Sequence, residues 1–327
     1  MKLVTLKTSE YGQSGAMIGD EVLNFALAVG SDTGSAARWI PASVMEILEA
    51  GPEGLAIVER LVKDTKDACD GEKDRLRAIG ALNPYDQNQY LAPIPRPRIT
   101  WSHGGAYPAH REEMARTQGR EPDLKKPLHP SGFFKNTNAI IGDGAPIPLP
   151  ANAPDYVDWE METSFVIGRK CHNVKKDEAI NYVGGHVIMN DVSARDWVPG
   201  FQLDKNPERN MALNHFGKQF AGFCPLGPCI ATKDEVPNAD DYGFSLKVNG
   251  ELKQQDNVKN AFFSLGELVE YLSHWMTLMP GDIISRGNSS GVGMAEEPRQ
   301  FLRPGDILEM EADGIGVMRH EIIAAGD

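Results

Sequence analysis

The sequence predicts an α+β protein that is predominantly β, with a small N-terminal α+β domain in residues 1–90 and a larger domain in residues 91–327. Strand-length runs between turn residues dominate after residue 99, and helical periodicity is limited to a few segments. Residues 91–98 include three prolines, so this stretch is stiff and cannot join a central ladder, which makes it the predicted domain boundary. Strands this densely spaced imply a mixed sheet that is rolled or sandwiched.

Short elements account for the N-terminal domain. Residues 2–6 and 16–23 are typical of strands, and residues 44–48 and 55–62 repeat apolar side chains at helical intervals. We therefore expect strands followed by helices in this part of the chain.

Turn residues mark strands in the larger domain. Asn249 and Gly250 stand between two alternating runs, which is typical of a hairpin turn. Residues 280–284 and 304–308 each begin with Pro-Gly-Asp and continue as an apolar run. This pattern predicts a turn followed by a strand.

Two helices are predicted in the larger domain. Ser264 and Glu267 have the spacing of a capping box and lie directly before apolar residues at helical intervals. A second helix should run from Pro108 to about Thr117, because proline favours the first turn and Gly119 lies just past the end.

Composition and charge restrict the function. Hydrophobic residues make up 41% and charged residues 24% of the 327 residues, which is the balance of a globular protein. A formal net charge of −13 disfavours nucleic acid and anionic membranes as partners, so a small-molecule substrate is expected. The first ten residues lack the apolar stretch of a signal peptide, and no segment approaches the roughly 20 apolar residues of a membrane span, which favours a cytoplasmic protein. The four cysteines are expected to be thiols that pack in the interior.

Three acidic residues suggest a metal site. Glu160 and Glu162 are two apart in a predicted strand, so their carboxylates face the same way, although such a pair taken alone is more typical of a solvated strand face. Residues 165–167 continue the strand as an apolar run, where unpaired charge is unfavourable, and Asp191 ends another apolar run. Three oxygen ligands suit one Mg²⁺ or Mn²⁺ ion per chain, with coordination sites left for water and substrate.

Further side chains could carry catalysis. His110 and Glu113 are three apart on a predicted helix, the spacing at which a carboxylate orients an imidazole, but a surface helix with an incidental acidic neighbour has the same pattern. The amines of Lys135 and Lys218 could bind a carboxylate or an enolate, or be solvated. Residues 287–293 could offer amides to an oxyanion or form a plain glycine-rich turn.

The same glycine-rich segment contains a Gly-x-Ser-x-Gly pattern centred on Ser289. Asp306 or Asp313, and then His320, follow in the chain order of an α/β-hydrolase triad. The match is weak, because glycines and a proline interrupt the helix that a nucleophile elbow requires, and the alternating βα pattern is missing.

Taken together, these features resemble the fumarylacetoacetate hydrolase family. The resemblance covers roughly residues 99–325, and residues 1–90 are similar to the N-terminal domain that many members carry. It implies the mixed β-sandwich roll of that family. The motifs occur in the family's order at residues 107–113, 134–135, 157–168, 190–196, 217–220, 224–228, 248–250, 276–283 and 287–293.

The resemblance also implies the residues of a site. The family's ligands for Mg²⁺ or Mn²⁺ match Glu160, Glu162 and Asp191. Its catalytic residues match His110, Glu113 and Lys218. The residues expected to contact the substrate are Tyr107, Lys135, Arg195, Gly287 and Asn288.

The expected enzyme is a metal-dependent hydrolase that cleaves a carbon–carbon bond of an acylpyruvate-type β-diketo acid, in the catabolism of aromatic compounds or related 2-oxo acids. His110, aligned by Glu113, takes a proton from water, and the hydroxide attacks the distal carbonyl. Lys218 and the amides near residues 287–288 stabilise the negative charge. An isomerase, decarboxylase or dehydratase of 2-oxo acids is an open alternative, and a non-catalytic oxo-acid binder is another. Family likeness also implies a homodimer.

Some positions depart from the family pattern and leave the acyl group of the substrate open. Asn288 stands where a threonine is common, Val198 where a glutamine is common, and His103 where some relatives carry an extra acidic residue. Residues 117–129 and 201–216 resemble insertions, which are expected to form either lids or plain surface loops.

Overall fold

The structure is a computed structural model that describes residues 1–30, 40–195 and 215–326. Val198 and residues 201–214 of one expected insertion lie outside the described residues. The strands in the described part are β1 Lys2–Leu6, β2 Gln13–Ile18, β3 Glu21–Asn24, β4 Leu82–Pro84, β5 Tyr90–Leu91, β6 Thr100–His103, β7 Gly132–Phe134, β8 Ile140–Ile141, β9 Ile147–Pro148, β10 Val157–Asp158, β11 Met161–Ile167, β12 Val183–Asn190, β13 Ser193–Ala194, β14 Cys224–Ala231, β15 Gly243–Val248, β16 Glu251–Asn257, β17 Ile283–Asn288, β18 Ile307–Ala312 and β19 Gly316–Ile323.

The helices are fewer and shorter in total than the strands. In the same described ranges they are α1 Phe25–Gly30, α2 Val44–Glu49, α3 Gly51–Asp67, α4 Asp70–Ala78, α5 Pro108–Thr117 and α6 Leu265–Trp275. None of the helices in residues 1–30, 40–195 or 215–326 has the length and apolarity that crossing a bilayer requires.

Two large sheets form the framework. The first runs in the order β4-β3-β2-β1-β14-β12-β11-β17-β6-β7, with β5 beside β1 and β8 beside β14. The second runs in the order β16-β15-β18-β19-β9. Most neighbours are antiparallel, whereas β6 pairs with β17, β8 with β14 and β9 with β19 in parallel. The expectation of a mixed, predominantly β architecture is therefore confirmed.

The two sheets pack face to face through a shared hydrophobic core. Met161 and Ile188 of the first sheet belong to the same buried cluster as Leu246 and Met310 of the second. Alternation in β15 and β18 places one side chain in two in this core, as expected for strands with one covered face.

The N-terminal part is built as strands followed by helices, as the periodicity predicts. Its strand β1 also pairs with β14 of the larger part, with Leu3 opposite Ile230, so both parts contribute to one sheet. The helices cover this sheet, since Ile47 and Val58 pack in the same cluster as Val187. The division at residue 90 stays a prediction.

The elements that local sequence patterns predict in the larger part are present in the structure. Helix α5 spans the expected residues, and α6 begins with a capping box in which Ser264 accepts from the Glu267 amide at 3.2 Å and Glu267 accepts from the Ser264 amide at 2.9 Å. The hairpin between β15 and β16 turns at Asn249 and Gly250, both at positive φ. The four cysteines are free thiols, and three are buried as expected, whereas the expectation is wrong for Cys69, which is exposed at the start of α4.

Candidate active site

Two adjacent strands of the first sheet bring the three acidic residues together. Glu160 lies just before β11, Glu162 lies within it, and Asp191 directly follows β12. The antiparallel register puts Met161 opposite Asn190, and the Asp191 amide donates to the Glu160 carbonyl at 2.9 Å. All three carboxylates are buried and offer oxygens within 4.8 Å of one another. The predicted convergence of these residues is present in the structure.

Cationic side chains surround two of the three carboxylates. Lys218 Nζ lies 2.6 Å from Glu160 Oε2 and 2.6 Å from Asp191 Oδ2. Arg195 Nη2 lies 2.6 Å from Glu160 Oε1, and the Lys135 ammonium donates to Asp191. We call these five residues the cation side of the site.

Lys135 has no donor left for a substrate in this geometry. An ammonium has three N–H donors. Those of Lys135 meet Asp191, the Lys218 carbonyl at 2.9 Å and the Phe223 carbonyl at 2.9 Å, and the side chain is fully buried. The structure therefore favours a positioning role for Lys135, on Asp191, over the predicted substrate contact.

Hydroxyl groups surround the third carboxylate. Ser102 Oγ lies 3.0 Å from each oxygen of Glu162, and the Ser285 hydroxyl also donates to it. We call these three residues the serine side. Sequence reasoning missed both serines, because they lie on β6 and β17 and reach Glu162 only through the strand order of the sheet.

The two sides hold their carboxylates in different electrostatic states. Burial by itself would raise the pKa of Glu160, but Arg195 and Lys218 outweigh it and hold this pKa well below its ordinary value. Burial, together with the negative charge of Asp191, raises the pKa of Glu162 to about 8. Burial would lower the pKa of Lys218, yet the carboxylates of Asp191 and Glu160 raise it.

Arg195 is held by a second acidic residue that the sequence analysis did not single out. Asp158 Oδ2 accepts from Arg195 Nε at 3.0 Å and from Nη2 at 2.8 Å. The amides of Gly293 and Met294 also donate to Asp158, at 2.7 Å and 3.2 Å. Arg195 thus bridges Asp158 and Glu160, which favours a positioning role beside the predicted substrate contact.

Helix α5 presents the histidine–glutamate pair to the site. His110 Nδ1 lies 2.7 Å from Glu113 Oε1, and Glu113 Oε2 accepts from the Gly291 amide at 2.8 Å. The positive charge of His110, when protonated, contributes to lowering the pKa of Glu160, and Asn288 Nδ2 lies 3.5 Å from His110 Nδ1. The three-residue spacing on a helix predicted this pair correctly.

The remaining predicted substrate contacts are less accessible. Tyr107 is fully buried and packs edge-on against Phe244 at 6.0 Å between ring centroids, which favours a packing role. Gly287 has φ +82°, and its amide donates to Ser285 Oγ at 2.8 Å. A Cβ at Gly287 would lie 2.4 Å from Ala106 Cβ, so this position requires glycine. The Gly287 amide is therefore occupied rather than directed at an oxyanion.

The serine-hydrolase alternative receives no support from the geometry. The Ser289 hydroxyl donates to Asp256, and His320 Nδ1 bonds with the Ala145 carbonyl at 2.7 Å. A short 3₁₀ turn, Gly293–Ala295, follows in place of the helix that a nucleophile elbow needs. His103 is also buried, beside Trp101 and Phe263, where burial lowers its pKa to about 4.

The residues present fit a divalent cation. Three buried carboxylates supply the hard oxygen ligands that Mg²⁺ and Mn²⁺ prefer. The Lys218 ammonium lies between two of them, so the geometry already favours positive charge at this point. On the serine side, Glu162 has hydroxyl partners and a raised pKa, so a bound cation would stabilise its ionised form.

A buried carboxylate triad beside an oriented histidine defines a class of candidate metal-dependent enzymes on a mixed β framework. The model of the fumarylacetoacetate (FAA) hydrolase C-terminal family matches residues 100–323, and the chain belongs to the fumarylacetoacetate hydrolase family. The predicted family and its fold are thus confirmed.

Three similar proteins show the range of the family. The chain is 33% identical over 284 residues to "Oxaloacetate tautomerase Fahd2a, mitochondrial" of Rattus norvegicus, covering 87% of this chain and 80% of the relative. The solved structure of 5-carboxymethyl-2-hydroxymuconate delta-isomerase from Mycobacterium smegmatis is 27% identical, with a TM-score of 0.65 and 100% of both chains covered. Maleylpyruvate hydrolase from Sphingobium sp. SYK-6, solved with manganese (II) ion and pyruvate, is 24% identical, with a TM-score of 0.66 over 99% of this chain and 100% of that chain.

Proposed function

We propose that the protein is a divalent-cation-dependent tautomerase, which interconverts the enol and keto forms of a 2-oxo acid of the oxaloacetate type. The observation that carries this proposal is the oriented His110–Glu113 pair near three buried carboxylates, since His110 lies 3.5 Å from Asn288, the residue paired across the sheet with Glu162. Tautomerisation needs one group that moves a proton at carbon and a positive centre that stabilises an anionic oxygen. The site contains candidates for both.

The chain's own residues divide the proton transfer between carbon and oxygen. Because His110 Nδ1 is bonded to Glu113, the other ring nitrogen, Nε2, is the one that exchanges a proton with the carbon next to the keto group. In ketonisation the enol oxygen releases its proton to water, Nε2 transfers its proton to the carbon, and His110 takes a proton back from water, so atoms and charge balance over the cycle. Lys218 supplies positive charge to the site, although its three donors meet Glu160, Asp191 and Ser193, so it acts on the anionic oxygen through its charge and not through a hydrogen bond. A divalent cation held by the triad would act there as a Lewis acid.

Similarity supports tautomerisation as the first candidate. The rat relative named an oxaloacetate tautomerase aligns over 87% of this chain. The neighbour solved with manganese (II) ion and pyruvate has the same fold, which supports Mn²⁺ or Mg²⁺ as the cofactor and a 2-oxo acid as the ligand. The homodimer and the cytoplasmic location stay predictions.

Hydrolysis of a carbon–carbon bond is the second candidate. One observation favours it: an imidazole aligned by a buried carboxylate is also the arrangement that removes a proton from water. The structural neighbour named maleylpyruvate hydrolase supports it at the level of the fold. Cleavage of an acylpyruvate in aromatic catabolism therefore stays a proposal, and so does isomerase, decarboxylase or dehydratase chemistry.

Two assays on Mn²⁺-loaded protein test the proposal. Wild-type protein should accelerate ketonisation of enol-oxaloacetate above the rate with Mn²⁺ alone, measured as loss of enol absorbance. Glu162→Gln should lower this rate at least about 100-fold, because changes even around metal ligands cost 10- to 100-fold. Glu311→Gln, an exposed strand glutamate, is the matched control and should retain the wild-type rate.

Product masses then separate the two candidates. Tautomerisation leaves the mass of the substrate unchanged, whereas hydrolysis of an acylpyruvate adds water and yields two smaller acids. If the substrate is cleaved but ketonisation is not accelerated, hydrolysis replaces tautomerisation as the proposed function. Acceleration of neither reaction would contradict the proposed function.

A further inference from the structure

Gln254 connects the second sheet to the strand that bears the candidate metal ligands. It lies in β16 and is fully buried. Its Oε1 accepts from the Met161 amide at 2.9 Å. Met161 stands between Glu160 and Glu162, so this hydrogen bond anchors the backbone at the centre of the acidic segment. Neither the length nor the charge of the Gln254 side chain predicts this contact.

The orientation of the Gln254 amide is determined by its backbone partners. The Met161 amide can only donate, so the atom facing it must be oxygen. The opposite atom, Nε2, faces the carbonyls of Ser289 at 3.1 Å and Ser290 at 3.3 Å, which can only accept. Nε2 also lies 2.7 Å from Asn288 Oδ1. Because Nε2 can only donate, the Asn288 atom that faces it must be its oxygen.

The orientation of Asn288 follows from that of Gln254. With its oxygen directed at Gln254, Asn288 turns its NH₂ group the other way, to within 3.5 Å of His110 Nδ1. That ring nitrogen already bonds with Glu113. Asn288 is also paired across the sheet with Glu162, so its backbone lies next to the strand that carries this carboxylate.

We propose that Gln254 is a positioning residue, which holds the Asn288 amide so that its NH₂ group donates to the anionic oxygen of the bound 2-oxo acid. This inference rests on the proposed function and adds to it the donor that the occupied Gly287 amide cannot supply. A preorganised donor of this kind stabilises charge as it develops, without reorganisation during the reaction. The chain of hydrogen bonds that positions the donor runs from the Met161 amide through Gln254 to Asn288.

The substitution Gln254→Glu tests this chain of hydrogen bonds, because it changes the shape of the side chain very little. It retains the acceptor for the Met161 amide but replaces the donor, so Asn288 should reverse its amide and turn its oxygen toward the site. We expect kcat for ketonisation to fall on the order of 100-fold, as for loss of one oxyanion donor. Gln255→Glu is the matched control, because Gln255 is the exposed neighbour on the same strand, and it should leave kcat unchanged.

Oxalate binding to the Mn²⁺-loaded protein gives a readout that needs no turnover. Oxalate is a planar dianion that mimics the enolate of a 2-oxo acid. Calorimetry should show its affinity at least about tenfold weaker in Gln254→Glu, from the lost hydrogen bond to a charged group, with Mn²⁺ affinity within about twofold of wild type. Unchanged kcat and oxalate affinity in that variant would overturn the inference, and so would a parallel loss of Mn²⁺ affinity, which indicates a merely structural role.

Substitutions at Asn288 test whether Gln254 acts through it. In an Asn288→Leu background, Gln254→Glu should cause little further loss, because the donor is already absent. An equal loss in both backgrounds would overturn the inference. If Gln254→Glu does not fold, Asn288→Asp removes the donor while keeping the acceptor for Gln254, and full activity in it would be equally decisive. Wild-type protein that neither binds oxalate nor accelerates ketonisation would instead contradict the proposed function, and the inference with it.

Discussion

Glu160 and Glu162 are two residues apart and both are buried, yet the regions around them differ. Two cationic side chains, Arg195 and Lys218, lie within hydrogen-bond distance of Glu160 on the cation side. On the serine side, Glu162 contacts only the hydroxyls of Ser102 and Ser285 among the hydrogen-bond partners in the described ranges. The pKa of Glu160 is lowered by its cationic neighbours, whereas burial and the nearby Asp191 raise that of Glu162 to about 8.

This comparison teaches that neighbouring charges decide the difference in pKa between the two buried carboxylates. Burial acts in the same direction on both groups. The carboxylates of the cation side are already paired with cationic side chains, whereas the serine-side carboxylate has only hydroxyl partners for its hydrogen bonds among the described residues. We therefore expect the two sides to respond differently to substitution in metal-free protein.

The largest expected effect follows from removing a cation that has no access to water. Lys135→Met should lower the free energy of unfolding by about 4 kcal/mol, since it removes one of the two ammonium partners of the buried Asp191 charge and leaves two carbonyls without the donor that Lys135 supplies. Lys126→Met removes a half-exposed lysine that pairs with Glu267, and should cost no more than about 1 kcal/mol. Urea unfolding of chelator-treated protein measures both. Equal losses of unfolding free energy in the two variants would contradict the description of the cation side as a buried ion network.

The next prediction compares the two glutamates directly. Glu160→Gln should lower the free energy of unfolding of metal-free protein by about 3 kcal/mol, because Arg195 and Lys218 each lose a buried anionic partner. Glu162→Gln should cost about 1 kcal/mol or less, since serine hydroxyls can bond with a neutral amide. Both variants should lose Mn²⁺ affinity in a calorimetric titration.

The opposite order of stability would show that the two sides have been assigned wrongly. Matched unfolding curves at one pH, with chelator present throughout, separate this outcome from any effect of residual metal. A loss of Mn²⁺ affinity in only one of the two variants would remove the other glutamate from the proposed ligand set.

A third region extends the comparison, because its buried titratable group is a histidine that has, in the described part of the chain, neither the cationic partners of Glu160 nor the hydroxyl partners of Glu162. His186 is buried, its Nδ1 has no hydrogen-bond partner within the part of the chain that the structure describes, and burial lowers its pKa from 6.5 to about 4. The unfolded chain therefore binds a proton between these pH values while the folded chain does not, so stability falls as pH falls below 6.5.

The expected contribution of His186 is a loss of about 2 kcal/mol between pH 8 and pH 5. His186→Phe keeps an aromatic ring against Tyr242 and should reduce the pH dependence of the free energy of unfolding by that amount. Urea unfolding of both proteins at the two pH values measures the difference. An unchanged pH dependence would show that His186 is protonated or hydrated in the folded state.

Much of the local structure could be predicted from the sequence. The ends of α5, the capping box of α6 and the hairpin at Asn249 and Gly250 follow from sterics and hydrogen bonds among residues close along the chain. The shared face of Glu160 and Glu162 follows from the two-residue period of a strand. Predictions that depend on neighbours in the chain therefore agreed with the structure.

Contacts between distant residues could not be predicted in the same way. Lys135 was expected to meet substrate, but it is bonded to Asp191, 56 residues away along the chain. Ser285 reaches Glu162 across 123 residues, and Gln254 reaches Met161 across 93. No periodicity specifies which strands become neighbours, so these partners had no sequence pattern of their own.

By itself, the sequence determined the period and caps of the elements, the acidic residues that share a strand face and the His110–Glu113 spacing, because each depends on the geometry of a short stretch of backbone. Only the tertiary structure decided that β17 lies beside β11 and β6 beside β17, and that Arg195, just after β13, and Lys218, at the end of the 3₁₀ turn Phe216–Lys218, reach Glu160. Strand order places serines around one carboxylate and loop packing places cations around the other. The electrostatic difference between Glu160 and Glu162 is therefore a property of the folded chain, since the energy of a buried charge depends on which groups surround it in space.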